Sequence, residues 1–177
     1  MGPEKEGTHM ERVGKFEKVS LSQFKADYED SFGQGSFREE IYEGIILPKR
    51  ATVGSAGYDF FAPLDINLKP GETMKIPTGI RAKISEGWVL MCYPRSGLGF
   101  KFRMQLDNTV GIIDSDYYGA DNEGHIMIKI TNDSKSHKVL SVEKGKGFAQ
   151  GIFMPFGITE DDEAEEIRTG GFGSTTK

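Results

Sequence analysis

The sequence predicts an all-β fold, either a sandwich or a barrel, on the strength of three observations. From residue 41 onward, apolar side chains alternate with polar ones at a period of two, which is the pattern of half-buried strands. These segments are short and end at turn signals such as Pro70-Gly71. No long amphipathic helical pattern interrupts them, and 177 residues suit a single domain.

Three segments show the alternation most clearly. In DINLK, Ile66 and Leu68 alternate with polar neighbours, and GIRAKI and HIMIKI repeat the scheme. Because successive side chains of a strand point to opposite faces, each segment presents one apolar face to a core. The segments KVLSVEKGKG and GIFMPF predict two further strands near the end of the β region.

The first 40 residues are charged and lack this alternation. In SLSQFKADYEDSF, either Ser20 or Ser22 can cap a helix whose apolar residues, from Leu21 to Tyr28, recur at helical spacing. We therefore predict one short helix in an N-terminal extension, residues 1–40, followed by the loop FGQGS.

The end of the chain is acidic and then rich in glycine. Six carboxylates fall within residues 160–166, which favours a solvated linker or a short exposed helix. The closing RTGGFGSTTK, residues 168–177, combines glycines and hydroxyls with one arginine and one phenylalanine. We expect a β domain over residues 41–158, then an acidic tether and a flexible arm over 159–177.

Composition argues against several classes of protein. The net charge is −5 and the basic residues are dispersed, whereas nucleic-acid binders concentrate them. The single cysteine, Cys92, lies in an apolar run and predicts a buried thiol in a reducing compartment. Three histidines without metal-ligand spacing argue against a zinc site built by the protein. With no apolar run long enough to span a membrane, the chain is expected to be cytoplasmic.

Two segments offer groups for an anionic ligand. AGYDFFAP, residues 56–63, places an acid among aromatic residues. PRSGLGFK, residues 94–101, follows a predicted strand with an arginine, a hydroxyl and flexible amides, which can form a nest for an anion. An ordinary glycine-rich turn is the competing interpretation of the second segment.

Two further segments carry polar groups at informative places. In GIIDSDYYG, residues 111–119, a predicted strand delivers Asp114 at its end, where a carboxylate can orient a water and take its proton. An Asp-rich turn explains this segment equally well. In GKGFAQGIF, Gln150 interrupts an apolar strand and is either part of a core network or a ligand contact. A base, an anion nest, aromatic rings, an amide and a tail with an arginine together suit a nucleoside polyphosphate.

These segments, with the tail, resemble the five ordered motifs of the homotrimeric all-β dUTP pyrophosphatases (dUTPases) over about residues 41–177. The resemblance implies a distorted β-barrel or jelly-roll-like (β-clip) domain that hydrolyses dUTP to dUMP and pyrophosphate. Asp114 matches the residue that orients a water against the α-phosphorus, and Tyr117 matches the tyrosine that stacks on deoxyribose. Asn108, in LDNTVG, matches the hairpin asparagine that reads the uracil edge.

The resemblance also implies further contacts with the substrate. A phosphate-binding turn is matched by Arg95, Ser96 and Gly97, and a phosphate-contacting amide is matched by Gln150. Asp59 is expected to support these residues without contacting the substrate itself. The remaining expected substrate contacts are Gly111, Ile112, Ile113 and Met127. Mg²⁺ is expected to be held by the phosphates and by water rather than by protein ligands.

The arm is expected to close over the site of a neighbouring subunit in a homotrimer. Phe172 would stack on uracil as a lid, while the rest of the arm reaches the phosphates. The residues expected to make those phosphate contacts are Arg168, Ser174 and Thr175, and Gly173 is a further expected contact with the substrate.

The chain departs from the family pattern in four places. Lys146 and Gly147 stand where the fourth motif usually has Asp-Arg, and the fifth motif is one residue shorter between Arg168 and Phe172. Residues 120–124 look inserted after the third motif, where they would lengthen a hairpin. Tyr118 occupies a position that is often basic or polar in relatives.

Two other functions compete with this interpretation. A dCTP deaminase shares the fold but needs a glutamate base near the pyrimidine ring, whereas this chain has the Asp114 and Tyr117 of a hydrolase. The second possibility is an added regulatory role, as in some phage members of the family that capture a repressor. Residues 1–40 and 120–124 are the candidate surfaces for such a protein partner.

Overall fold

The computed structural model describes residues 10–166 together with Arg168 and Gly170. Its strands are β1 (Gly14–Lys18), β2 (Lys49–Arg50), β3 (Tyr58–Phe61), β4 (Ile66–Leu68), β5 (Thr73–Pro77), β6 (Ile80–Ile84), β7 (Trp88–Pro94), β8 (Met104–Leu106), β9 (Gly111–Ile113), β10 (Met127–Asn132), β11 (Leu140–Val142) and β12 (Gly147–Pro155). Its helices are α1 (Leu21–Phe32), α2 (Glu39–Glu43), α3 (Ser96–Phe102) and a 3-10 helix (Ser115–Gly119).

The strands form four sheets around one core. The largest has the order β2-β3-β12-β7-β9, and the others are β5-β10-β8, β11-β4 and β1-β6. All of these pairings are antiparallel. The all-β prediction is confirmed, and the arrangement is jelly-roll-like, without a closed barrel among the described strands.

The predicted alternation holds where it was clearest. Ile66 and Leu68 are buried on either side of an exposed Asn67, and β6 and β10 bury their isoleucines in the same way. Cys92 is buried as predicted, and burial raises the pKa of its thiol to about 12. The acidic residues 160–166 are exposed and form no helix.

The N-terminal segment carries the predicted helix and also contributes a strand, β1, to the β structure. Ser20 caps α1 by accepting a hydrogen bond from the backbone N–H of Gln23, and Phe24 is completely buried. Before the helix, β1 pairs along β6, with Gly14 opposite Ile84. The segment GKFEK shows no recognisable alternation of apolar and polar residues, because Phe16 is its only large apolar residue. The domain boundary at residue 40 stays a prediction.

Three connections differ from what the sequence suggested. A seven-residue helix, α3, replaces the expected turn after β7. The turn around Asn108 joins strands of two different sheets, because β8 pairs with β10 whereas β9 pairs with β7. For the same reason, residues 120–124 do not lengthen a hairpin but lie in a connection between sheets.

None of the helices in the described ranges is long and apolar enough to cross a bilayer.

Candidate active site

The end of β7 carries the first group of predicted site residues. Arg95 precedes α3, and Arg95, Ser96 and Gly97 are all exposed at the helix start. They open onto a cavity of about 510 Å³. Its other lining residues are Leu98, Ser141, Val142, Glu143, Lys146 and Gly147. A cationic side chain, a hydroxyl and exposed backbone amides thus face a cavity of the size that small ligands occupy.

Asp59 and Gly147 hold the Arg95 side chain over this cavity. Arg95 Nε lies 3.1 Å from Asp59 Oδ1, and its Nη1 donates to the Gly147 carbonyl oxygen at 3.3 Å. A Cβ on Gly147 would lie 2.9 Å from that same Nη1 atom. The departure from the fourth motif therefore leaves room for Arg95, and Lys146 adds a second cation to the cavity wall.

Gln150 lies in β12 directly opposite Asp59 on one side and Tyr93 on the other. Its Nε2 donates to the Pro94 carbonyl oxygen at 3.0 Å, which ties the amide to the residue before Arg95. Gly57 lies against the Gln150 side chain, where an added Cβ would clash. The first, second and fourth motifs therefore come together at one end of the large sheet.

Asp114 and Tyr117 lie on the connection between β9 and β10. Asp114 has extended backbone, directly precedes the 3-10 helix and is about half exposed. Tyr117 is buried, and its hydroxyl donates to the His125 carbonyl oxygen at 2.7 Å. Burial raises the pKa of this phenol to about 12, so it stays protonated as a donor at neutral pH.

Arg168 of the same chain contacts this group. Its Nη2 donates to Asp114 Oδ2 at 2.6 Å, and its Nε donates to Asp116 Oδ1 at 3.1 Å. Its guanidinium carbon lies 5.8 Å from the centre of the Tyr117 ring. The arginine of the fifth motif thus lies on the carboxylates of the third. The remaining arm residues of interest, Phe172, Gly173, Ser174 and Thr175, lie outside the described residues.

The predicted pyrimidine contacts form a third group. Asn108 is exposed in a turn where Thr109 has φ of 67°, and the Gly111 backbone passes close to Cys92. Asn108, Gly111, Ile113 and Met127 line a narrow cavity of about 10 Å³, together with Cys92, Leu106, Ile126 and Ile128. That volume holds no more than a water molecule, so a pyrimidine ring would lie at the mouth. Ile112 points outward and is 47% exposed.

The strand register separates the Asp114 group from the Arg95 group. Ile113 lies opposite Leu90 and Gly111 opposite Cys92, so Asp114 follows at the level of Val89. Arg95 is six residues beyond Val89 and directly follows the end of β7. Because a strand rises about 3.3 Å per residue, the two groups lie roughly 20 Å apart. One chain therefore does not bring these two groups onto the same phosphate.

The structure adds residues that the motifs did not indicate. Ser141 and Glu143 line the Arg95 cavity, although the alternation of β11 indicates only that they face outward. His125 and Asp27 form a part-buried pair near Tyr117, although they lie 98 residues apart in sequence. A lone histidine before a strand carries no signal of such a partner, so only the fold reveals it.

Comparison with known proteins identifies the family. The sequence model of the dUTPase family matches residues 43–176. The deoxyuridine 5'-triphosphate nucleotidohydrolase of Lactococcus lactis is 47% identical over 135 residues, which cover 75% of this chain and 89% of that protein. The enzyme of the same name from Tolumonas auensis is 42% identical over 137 residues, covering 73% of this chain and 86% of the relative.

Solved structures agree with the sequence comparison. The crystal structure of the dUTPase from Streptococcus mutans matches with a TM-score of 0.60 and 32% identity. The match covers 82% of this chain and 98% of the Streptococcus mutans chain. The dUTPase of phage phi11 of S. aureus has the same TM-score of 0.60 at 22% identity, and the match covers 88% of this chain and 97% of the phage chain. The two proteins therefore share a fold. The family model, the curated relatives and the fold agree, and the chain belongs to the dUTPase family.

Proposed function

We propose that this chain hydrolyses dUTP to dUMP and pyrophosphate, with Asp114 orienting a water for in-line attack on the α-phosphorus. The position of Asp114 supports this role, because the carboxylate is half exposed at a strand end and directly precedes the short helix that carries Tyr117. Asp114 would accept a proton from the water as the water oxygen bonds to the α-phosphorus. The bond from that phosphorus to the oxygen shared with the β-phosphorus breaks, and this oxygen leaves as a terminal oxygen of pyrophosphate.

The pyrimidine and sugar would be read by the connections around β9. Asn108 and the backbone near Gly111 offer hydrogen-bonding groups at the mouth of the narrow cavity, a place that suits the uracil edge. Cytosine would present a donor where uracil presents an acceptor, and such a mismatch discriminates strongly. Tyr117 would stack on the deoxyribose. The dCTP deaminase alternative has no comparable support from the described residues.

The phosphates would be bound at the Arg95 cavity. Arg95 is oriented by Asp59 at 3.1 Å, and Ser96, Gly97 and Gln150 lie around the same strand end. An arginine fixed in this way suits a phosphate, because its planar fork binds two oxygens at once. Charge on the departing pyrophosphate would be neutralised there.

Mg²⁺ would be held by the oxygens of the triphosphate and of water, which are the ligands that this ion prefers. The carboxylate nearest to the proposed phosphate site fits this arrangement, because Asp59 already pairs with Arg95. In the ranges that the structure describes, no three His, Cys, Asp or Glu side chains come together as a metal-holding group. The dUTPase of phage phi11 coordinates a structural Mg(II) ion. The ion would polarise the phosphates and balance their charge.

A complete site would be built from more than one copy of the chain, as a homotrimer. The observation that carries this proposal is the separation of roughly 20 Å between Asp114 and Arg95, derived from the register of β7 and β9. One copy would supply Asp114 and Tyr117 and another the phosphate turn, with the arm closing over both. In that closed state Arg168 and Phe172 would contact phosphate and uracil.

The test of this function is pyrophosphate release measured with dUTP, dTTP, dCTP and UTP in the presence of Mg²⁺. We expect rapid release from dUTP alone, and release of ammonia from dCTP would instead identify a deaminase. The absence of cleavage of dUTP by the folded protein would refute the proposal.

A further inference from the structure

Three side chains of the N-terminal segment contact the connection that carries Tyr117. We name residues 14–32, which form β1 and α1, the N-terminal clamp, and residues 114–126, between β9 and β10, the Tyr117 loop. The two segments are roughly 100 residues apart in sequence, yet contacts at Glu17, Ser20 and Asp27 join them. The loop includes both Tyr118 and the inserted residues 120–124, where this chain departs from the family pattern.

The first contact is a part-buried pair between Asp27 and His125. His125 is completely buried, and its Nδ1 lies 2.5 Å from Asp27 Oδ2. Its Nε2 accepts a hydrogen bond from the Gly79 backbone N–H at 2.8 Å, so the ring proton must be on Nδ1 and is donated to Asp27. Burial disfavours ionised Asp27, but hydrogen bonds from His125 and Gln23 outweigh it and lower its pKa.

His125 in turn fixes the Tyr117 hydroxyl. The hydroxyl donates to the His125 carbonyl oxygen at 2.7 Å and accepts from Asn122 Nδ2 at 2.7 Å. A chain of contacts therefore runs from helix α1 through Asp27 and His125 to the phenol. The ring that we propose to stack on the sugar has its polar end anchored to the clamp.

The second contact joins Ser20 to Glu123. Glu123 accepts hydrogen bonds from the Ser20 backbone N–H at 2.7 Å and from the Ser20 hydroxyl at 2.6 Å. Its backbone is left-handed, with φ of 59°, which is an unfavourable conformation for a residue with a Cβ atom. At Gly124, where φ is +70°, an added Cβ would lie 2.6 Å from the Tyr117 carbonyl oxygen. The inserted turn thus folds back tightly onto Tyr117 while Ser20 holds it.

The third contact is made by Tyr118 of the Tyr117 loop. The Tyr118 hydroxyl donates to Glu17 Oε2 at 2.6 Å, and the guanidinium carbon of Arg81 lies 4.4 Å from the centre of the Tyr118 ring. Glu17 also pairs with Arg81 at 3.3 Å, so a strand of the clamp, a strand of the core and the loop share one cluster.

We infer that the N-terminal clamp orients the Tyr117 loop, and that Asp27 is a positioning residue for Tyr117 acting through His125. The inference rests on the proposed function insofar as Tyr117 contacts the sugar of dUTP. It gives the N-terminal segment and the insertion at 120–124 one joint role, because Ser20 of the clamp binds Glu123 of the insertion. The clamp acts at a distance from the phosphorus, so it affects how the nucleoside is held rather than the chemistry of the water.

Asp27→Ala removes the acceptor of His125 Nδ1–H, whereas Asp27→Asn keeps an oxygen that can accept it. The matched control is Asp30→Ala on the same helix, since Asp30 is 70% exposed and pairs with Lys75 instead. Two readouts are needed, amide hydrogen exchange over 114–126 in the nucleotide-free protein and steady-state kinetics with dUTP and UTP. In Asp27→Ala we expect exchange in the loop and KM for dUTP to rise about tenfold, with a smaller preference for dUTP over UTP.

Asp27→Asn should stay close to the wild type in both readouts, and Asp30→Ala should change neither. If amide hydrogen exchange in the Tyr117 loop is the same in Asp27→Ala as in Asp30→Ala, the inference that the clamp orients this loop is wrong. If the loop loosens but only kcat falls, with KM and the dUTP preference unchanged, Asp27 merely supports folding and the positioning role is wrong.

The failure of the proposed function would give a different result. If the wild type does not cleave dUTP, that function is refuted, and the clamp is judged from a ¹³Cζ-tyrosine label at Tyr117. The resonance should shift in Asp27→Ala and not in Asp30→Ala, and an unchanged resonance overturns the inference. Should Asp27→Ala not fold, Glu123→Asn tests the same clamp, because Asn tolerates left-handed backbone but is too short to reach Ser20.

Discussion

Arg168 donates a hydrogen bond to Asp114 Oδ2 from Nη2 at 2.6 Å, so the arm and the proposed catalytic carboxylate meet within one chain. The guanidinium occupies a lone pair of Oδ2 that a water could otherwise use. An Arg168 that moves to a phosphate would release it. The arm is therefore expected to exchange one anion for another when nucleotide binds, which couples closure to exposure of the base.

Asp114→Asn should abolish turnover while leaving binding nearly intact. The amide keeps the shape of the side chain but cannot take a proton, and loss of a general base costs about 10²–10⁴-fold in rate. Pyrophosphate release and nucleotide titration measure the two effects. The matched control is Asp116→Asn, because Asp116 contacts the same guanidinium at 3.1 Å. Binding that weakens in step with turnover would contradict the assignment.

Mixed oligomers should test whether the site is shared. Asp114→Asn and Arg95→Ala each remove one half of a site, and the two halves lie roughly 20 Å apart in one chain. Each variant should be inactive alone, whereas oligomers reassembled from both should regain part of the activity, because some sites then contain neither change. Activity that stays absent after verified subunit exchange would indicate a site within a single chain.

Two truncations should separate the parts of the arm. Removal of 168–177 should lower activity by orders of magnitude without unfolding the β domain, because the core residues in the described part of the chain precede the acidic tether. Removal of 171–177 retains Arg168 and deletes Phe172, so its residual activity reports the guanidinium alone. Circular dichroism checks the fold. Full activity of the longer truncation would exclude a lid.

Gly147→Ala should weaken phosphate binding. The new methyl group would lie 2.9 Å from Arg95 Nη1 and displace the guanidinium from its pair with Asp59. We expect KM for dUTP to rise about tenfold, since a hydrogen-bonded charge is lost, with little change in unfolding temperature. Gly54→Ala is the control, because its Cβ meets nothing within 4 Å. Equal KM values for the two variants would contradict the role of Gly147.

Local patterning is enough to predict the β class and several strands. Ile66, Leu68 and Asp114 lie where the alternation and the strand end placed them, because each depends on neighbours within a few residues. The helix capped by Ser20 is equally local. These features could be predicted since periodicity and capping are properties of short segments.

The remaining features depend on partners far away in sequence. Strand β1 has too little alternation to be recognised and forms because β6 offers it an edge. The pairs Asp27–His125 and Ser20–Glu123 join residues 98 and 103 positions apart, and no spacing rule connects them. The separation of Asp114 from Arg95 likewise follows from register, which is fixed only once β7 and β9 pair.

Glu17→Gln should reduce stability at neutral pH and lose that effect in acid. Hydrogen bonds from Lys15 and Tyr118 and the nearby charge of Arg81 hold the pKa of Glu17 at about 2, below its usual 4.5. Between these values the unfolded chain binds a proton that the folded chain does not, so the stabilisation by Glu17 is complete above about pH 4.5 and disappears as pH falls toward 2. Because the side chain is partly exposed, we expect up to about 1 kcal/mol at pH 7. Urea unfolding of the wild type and Glu17→Gln at pH 7, 4 and 3 measures this, with the exposed Glu11→Gln as control. A difference between the two proteins that is constant with pH would contradict an ionised Glu17 that links β1 to Tyr118.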